Sequence, residues 1–155
     1  MNKFIVIAFL AFTTSQSLAS PESLRSVGIE TSGKDGCYLS NGKAILGTTI
    51  GLMVDAYDDH PKLSNETIVT VIQTAIDAGC DINEPNNAGL TPLNAAILLN
   101  HSILVELLLK HGARPELKIE SQKKFIHGKN SFELYEFLKT KRKMSKVGQA
   151  LAKYK

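Results

Sequence analysis

Between Asn87 and Leu117 turn-forming and apolar residues succeed one another in a regular order. Gly89-Leu90-Thr91-Pro92-Leu93 begins with a residue suited to a turn. Thr91 then offers a side-chain oxygen for a helix start, and Pro92 suits the first helical position, where its missing N–H costs nothing. Leu93, Ala95, Ala96 and Ile97 continue as a short apolar helix whose alanines let a neighbour approach closely. The pattern breaks at Asn100-His101-Ser102, with Ser102 a second candidate cap. Leu104, Val105, Leu108 and Leu109 then recur at helical spacing. Gly112 closes the run, as glycine does where the chain must turn left-handed.

The same order appears twice more. Thirty-three residues earlier, Val71, Ile72, Ala75, Ile76 and Gly79 fall on Leu104, Val105, Leu108, Leu109 and Gly112. Thirty-nine residues later, Gly128-Lys129-Asn130-Ser131-Phe132 falls on Gly89-Leu90-Thr91-Pro92-Leu93. Gly42-Lys43-Ala44-Ile45-Leu46 reads as an earlier copy of the same start. Three units are therefore expected, near 41–83, 86–118 and 125–155. On this register the first carries about 14 extra residues between its helices, at Tyr57–Leu63, and the third about four, at Lys141–Met144. One helix pair cannot bury its apolar face alone, so repeated pairs stack.

The middle unit resembles an ankyrin repeat. Thr91-Pro92-Leu93, Ala95-Ala96, His101, Leu104-Val105, Leu108-Leu109 and Gly112-Ala113 stand in that family's register. Asn94 replaces the family's histidine, and Ile97 its second alanine. The resemblance implies an all-α stack of helix–turn–helix units, a solenoid over 41–155, with atypical end units. It also implies a module without catalysis that holds a protein partner on its concave side, by turn tips and the ends of the first helices. Carried onto this chain, the tips are Ser40, Asn41 and Lys43, then Asn87, Ala88 and Leu90, then Ile126, His127 and Lys129. The helix ends are Gly51 and Leu52, Leu98 and Leu99, Phe137 and Leu138. Five of those six ends are large and apolar, which marks either an interaction surface or a face covered by the inserted loops.

Composition changes the picture at the two termini. Lys3 followed by the apolar run Phe4–Phe12 is too short to span a bilayer, and Ser17-Leu18-Ala19 supplies small residues. This predicts a signal peptide over residues 1–19 and a periplasmic or secreted protein. Residues 20–40 lack any sustained period and read as an irregular leader or cap. In an oxidising compartment Cys37 and Cys80 admit a disulfide; two small buried side chains are the alternative. From Ser20 to Leu138 there are 10 Lys and Arg against 15 Asp and Glu, and from Lys139 to Lys155 seven cations and no acid. That tail could meet an anionic membrane, but its spacing also suits a solvated helix with Val147, Ala150 and Leu151 turned inward. With Tyr154 as its single aromatic, it offers no base-stacking series for nucleic acid.

Catalytic chemistry is hard to place. No serine or cysteine has the context of an activated nucleophile, and no glycine loop suits phosphate. Asp58-Asp59-His60 lies on adjacent loop positions that rarely converge on one ion. We expect no cofactor, no metal and no small-molecule substrate. Asn65-Glu66-Thr67 is a glycosylation sequon only in a eukaryotic secretory pathway. The resemblance, joined to export and small size, implies for a bacterial protein an immunity role: silencing a toxic effector delivered by type VI secretion, such as a lipase. A secreted ankyrin effector acting on a host protein is the alternative.

Overall fold

The computed structural model describes residues 22–33 and 35–155; the signal peptide expected over 1–19 lies outside the described residues. A short helix α1 (Glu22–Arg25) is followed by three strands, β1 (Glu30–Ser32), β2 (Tyr38–Ser40) and β3 (Ile45–Thr48). They form an antiparallel sheet in the order β1-β2-β3. Six helices follow: α2 (Thr49–Ala56), α3 (Asn65–Asp77), α4 (Pro92–Leu99), α5 (Ser102–Lys110), α6 (Ser131–Lys139) and α7 (Ser145–Ala152).

The fold is therefore not purely α-helical. The sheet corrects that expectation, and it runs through the segment read as irregular. Its strands are three or four residues long, too short for a two-residue period to stand out. β3 also takes up residues read as the start of the first helix. Ile45 and Leu46 are exposed on it, and the helix begins only at Thr49, capped by the Thr48 side chain, which accepts from the Gly51 amide.

Helix starts in the three pairs follow one rule. Thr48, Thr91 and Asn130 each accept the backbone N–H three residues on. Pro92 occupies the first turn of α4, and Asn130 with Glu133 forms a reciprocal capping box on α6. His101, not Ser102, is the residue flanking α5, and it makes no side-chain cap bond. Asn100 ends α4 in the left-handed conformation that asparagine tolerates. The cap register puts Thr48 43 residues before Thr91, so the first pair carries ten extra residues rather than 14. Six lie in the loop before Ser64 and four lengthen α3.

Helices α2, α4 and α6 pack side by side, with α4 in the middle, and α5 packs against α7 behind them. Ile50, Ile72, Leu93, Ile97, Leu104, Leu108 and Leu134 form the buried spine of one continuous core. Gly89 shows why the middle turn needs glycine. Its φ is +74°, and an added Cβ would lie 2.0 Å from the Glu120 carbonyl oxygen. The second and third units touch there, backbone to backbone.

Candidate interaction surface

Tyr38 at the start of β2 and the strand β3 rise beside α2 as one wall of a cleft. The loop Glu84–Ala88, which leads into α4, forms the other. The cleft encloses about 440 Å³. Ile45 and Leu46 are 65% and 40% exposed on the first wall, and Leu52 of α2 forms part of the floor. The two walls are joined twice. Cys37 is disulfide-bonded to Cys80. One residue further along the chain, the Tyr38 hydroxyl donates to both Glu84 carboxylate oxygens at 3.0 and 3.2 Å. That hydrogen bond, with Glu84's negative charge, raises the Tyr38 pKa above the usual phenol value. Asp55, at the rim, makes no hydrogen bond or ion pair among the described residues. Crowding strips water from its carboxyl and raises its pKa.

The expected contact residues do not all reach one surface. Asn41 and Lys43 stand exposed on the β2–β3 turn, where the Asn41 side chain accepts the amides of Lys43 and Ala44. Asn87 is exposed on the cleft wall. Leu90 is not a tip residue: it is 8% exposed. Its amide donates to the Asn86 side chain and its carbonyl accepts the Asn86 amide, which turns the leucine inward. Ile126 is likewise fully buried. Leu98 is half-buried, and Arg142 from the third unit's inserted loop donates to its carbonyl. Leu99 remains 38% exposed, while Leu138 is buried. Phe137 is half-buried beneath Lys129, whose ammonium lies 5.7 Å from the ring centroid, and beside Phe125. His127 is exposed, and its Nδ1 lies 2.9 Å from the Ser121 carbonyl.

The cap register also exposes a residue that the sequence reading missed. Seven positions after the caps Thr48, Thr91 and Asn130 come Asp55, Leu98 and Phe137. Asp55 is thus the first unit's counterpart of two apolar side chains. Reading Gly42 as the helix start hid this by four residues, although Thr48-Thr49-Ile50 repeats the Thr-x-apolar order of Thr91-Pro92-Leu93.

His101 packs where the first and middle pairs meet. Its side chain is 9% exposed and its Nδ1 lies 3.3 Å from Asp58. Its ring makes an edge contact with Tyr57, with centroids 5.0 Å apart. Nε2 is buried without a partner. Burial, aided by Arg142, lowers its pKa against the opposing pull of Asp58 and Asp59. Asp58 also accepts from Asn65. Among the described residues no group of three or more His, Cys, Asp or Glu is placed to hold a metal. No helix among them is long and apolar enough to cross a membrane.

Residues 88–119 match the family model of the ankyrin repeat. The match covers about a fifth of the chain and supports the ankyrin family for the middle unit. Neither a curated protein nor a solved structure matches the chain. Ankyrin repeats are typically protein-interaction modules without catalysis. The match thus implies protein binding and leaves the partner to be argued from this chain's own surface.

Proposed function

We propose that the protein binds a protein partner on the face made by α2, α4, α6 and the cleft beside α2, and that this face is the concave side of the stack. The observation that carries the reading is the set of apolar side chains Leu98, Leu99 and Phe137 near the ends of α4 and α6, with Leu52 on α2 in the cleft. None of them is fully buried, and they lead into a cleft whose wall bears exposed Ile45 and Leu46. Apolar side chains left partly exposed beside a cleft are what interaction sites tend to show. In this reading residues 1–19 direct export and the protein acts in the periplasm or outside the cell, where a Cys37–Cys80 bond persists. Its narrower role is immunity: it holds a type VI secretion effector, such as a lipase, in an inactive complex. The basic tail is a solvated capping helix in this reading rather than a nucleic-acid or membrane contact, since α7 turns Val147, Ala150 and Leu151 inward.

The test is titration calorimetry of the mature protein with the product of an effector gene encoded beside its own, if its genome carries one there. Binding is expected, and Leu99→Asp weakens it by about 2 kcal/mol or more while the free variant melts like the wild type. Full-strength binding by a folded Leu99→Asp variant removes the face from the reading. Absence of binding to that product removes the immunity role and favours a secreted effector that acts on a host protein.

A further inference from the structure

The chain's negative charge is concentrated beside one end of this surface. From Gly36 to Leu90 there are seven acids and two lysines. The cleft by α2 takes its two charged lining groups, Asp55 and Glu84, from that set, and no cation lines it. Glu84 is held in place by Tyr38, and Asp81 approaches closely enough to add its field at Tyr38. Asp55 makes no hydrogen bond or ion pair among the described residues, with only the field of His101 acting on it, and it occupies the position where the other two pairs carry Leu98 and Phe137. The same cleft is lined by the apolar side chains Ile45, Leu46 and Leu52.

We propose that this cleft docks a segment of the partner protein in which a lysine or arginine stands beside a large apolar residue. The cation sits between Asp55 and Glu84, and the apolar side chain lies on Ile45 and Leu46. The proposal rests on the interaction-face reading above and names the partner's chemistry. Charge complementarity selects this occupant. An acidic segment would meet two carboxylates with no cation to offset them, and a purely apolar segment would strip water from both without replacing it. A bare divalent ion needs about six oxygens around it, and no such group is present among the described residues. The chain's own basic tail is engaged elsewhere, because Val147, Ala150 and Leu151 anchor α7 in the core.

The experiment selects random peptides displayed on phage against the mature, disulfide-bonded protein, and maps the winners by amide chemical shifts. Enriched sequences are expected to carry Lys or Arg next to a large apolar residue. They should shift resonances of β3, the first turns of α2 and Glu84–Ala88. Asp55→Asn and Glu84→Gln should each weaken them about tenfold or more, as removal of one member of a desolvated charge pair does. Asp55→Asn should melt no lower than the wild type, so lost binding is not lost folding. Three results overturn the proposal: no enrichment, peptides without cations, or binding indifferent to both substitutions. Peptides that shift Leu99 and Phe137 but not the cleft leave the interaction face standing and remove the cleft. Peptides that shift none of α2, α4 and α6 remove both. Self-association of the protein that depends on Asp55 and excludes the peptides would make a second copy the occupant, and also overturns it.

Discussion

Helices α2 and α6 hold matching places on either side of α4, yet their surroundings differ. In front of α2 stands a sheet tied down by a disulfide, with an open cleft between β3 and the loop Glu84–Ala88. In front of α6 the chain closes on itself. Ile119 donates to the Lys129 carbonyl, Gly128 donates to the Ile119 carbonyl, and Glu120 meets the Gly89 turn. Phe125 and Lys129 lie against Phe137 at the helix end, where the first unit carries Asp55 at the cleft rim. The charge differs too: the first region is acidic, and residues 125–155 carry eight cations against two acids. End repeats must meet water on one side. Here one end does so with a stapled sheet beside a cleft, and the other with a loop whose Phe125 and Lys129 lie against Phe137. On the proposed reading the cleft belongs to the first end, and Phe137 at the other end is reached beside Lys129 and Phe125.

The largest effect should come from the brick that both ends lean on. Leu108 is fully buried in α5, between the two regions. Leu108→Ala should cost about 2–5 kcal/mol in chemical denaturation, a large share of a small domain's stability. Both ends should lose protection together. A cost under about 1 kcal/mol would mean that Leu108 does not hold the two ends together.

Next is the staple. Cys37 and Cys80 close a loop of 43 residues, for which the entropy of the unfolded chain suggests up to about 4 kcal/mol, with about 2–4 typical. Cys37→Ser with Cys80→Ser should lower stability by that order. Amide exchange should rise in β2, β3 and α2 and stay low in α6 and α7. Equal loss at both ends would show that the staple acts on the whole chain rather than on the cleft end.

How much of this was legible follows the same division. The middle and last pairs announced themselves: Thr91-Pro92, Gly112 and Gly128 to Asn130 are local signals, each tied to a backbone demand that few residues meet. The first pair was misread because Gly42 imitates a turn before a helix, while the true cap, Thr48, sits behind a short exposed strand. Whether an inserted loop covers an apolar helix end depends on contacts between distant segments. Arg142 reaching Leu98 and Lys129 reaching Phe137 have no counterpart in local pattern. Asn94 is a partial case. Its departure from the family pattern was visible, but its partner was not.

That partner provides the next test. The Ser131 hydroxyl donates to Asn94 Oδ1 at 2.8 Å, both side chains are buried, and Asn94 Nδ2 already lacks a partner. Ser131→Ala leaves the Asn94 oxygen bare as well, which should cost about 1–3 kcal/mol. The loss should fall on the docking of α6 against α4, so thermal melts should broaden while the cleft end keeps its peptide affinity. An unchanged melting curve would mean that water replaces the hydroxyl and that closure of the last unit rests on apolar packing alone.

The smallest effect concerns the seam between the first and middle pairs, where His101 meets Tyr57 and Asp58. Burial lowers the His101 pKa below its ordinary 6.5, so the unfolded chain takes up this proton first as pH falls. The unfolded state therefore binds more protons in that window. Stability should be fully present above about pH 6.5 and decline as pH drops through the lower folded-state value. Asp58 and Asp59 oppose the shift and limit the loss, while Arg142 adds to it. Asp55 works in the other sense: its raised pKa lets the folded state hold a proton that the unfolded chain has released, and this begins above its ordinary 3.8. Denaturation midpoints for wild type and His101→Asn between about pH 5 and 8 separate the two. The wild type should weaken toward pH 5 relative to the variant. Parallel curves would mean that the imidazole accepts its proton without leaving the seam, and that Asp58, not burial, governs it.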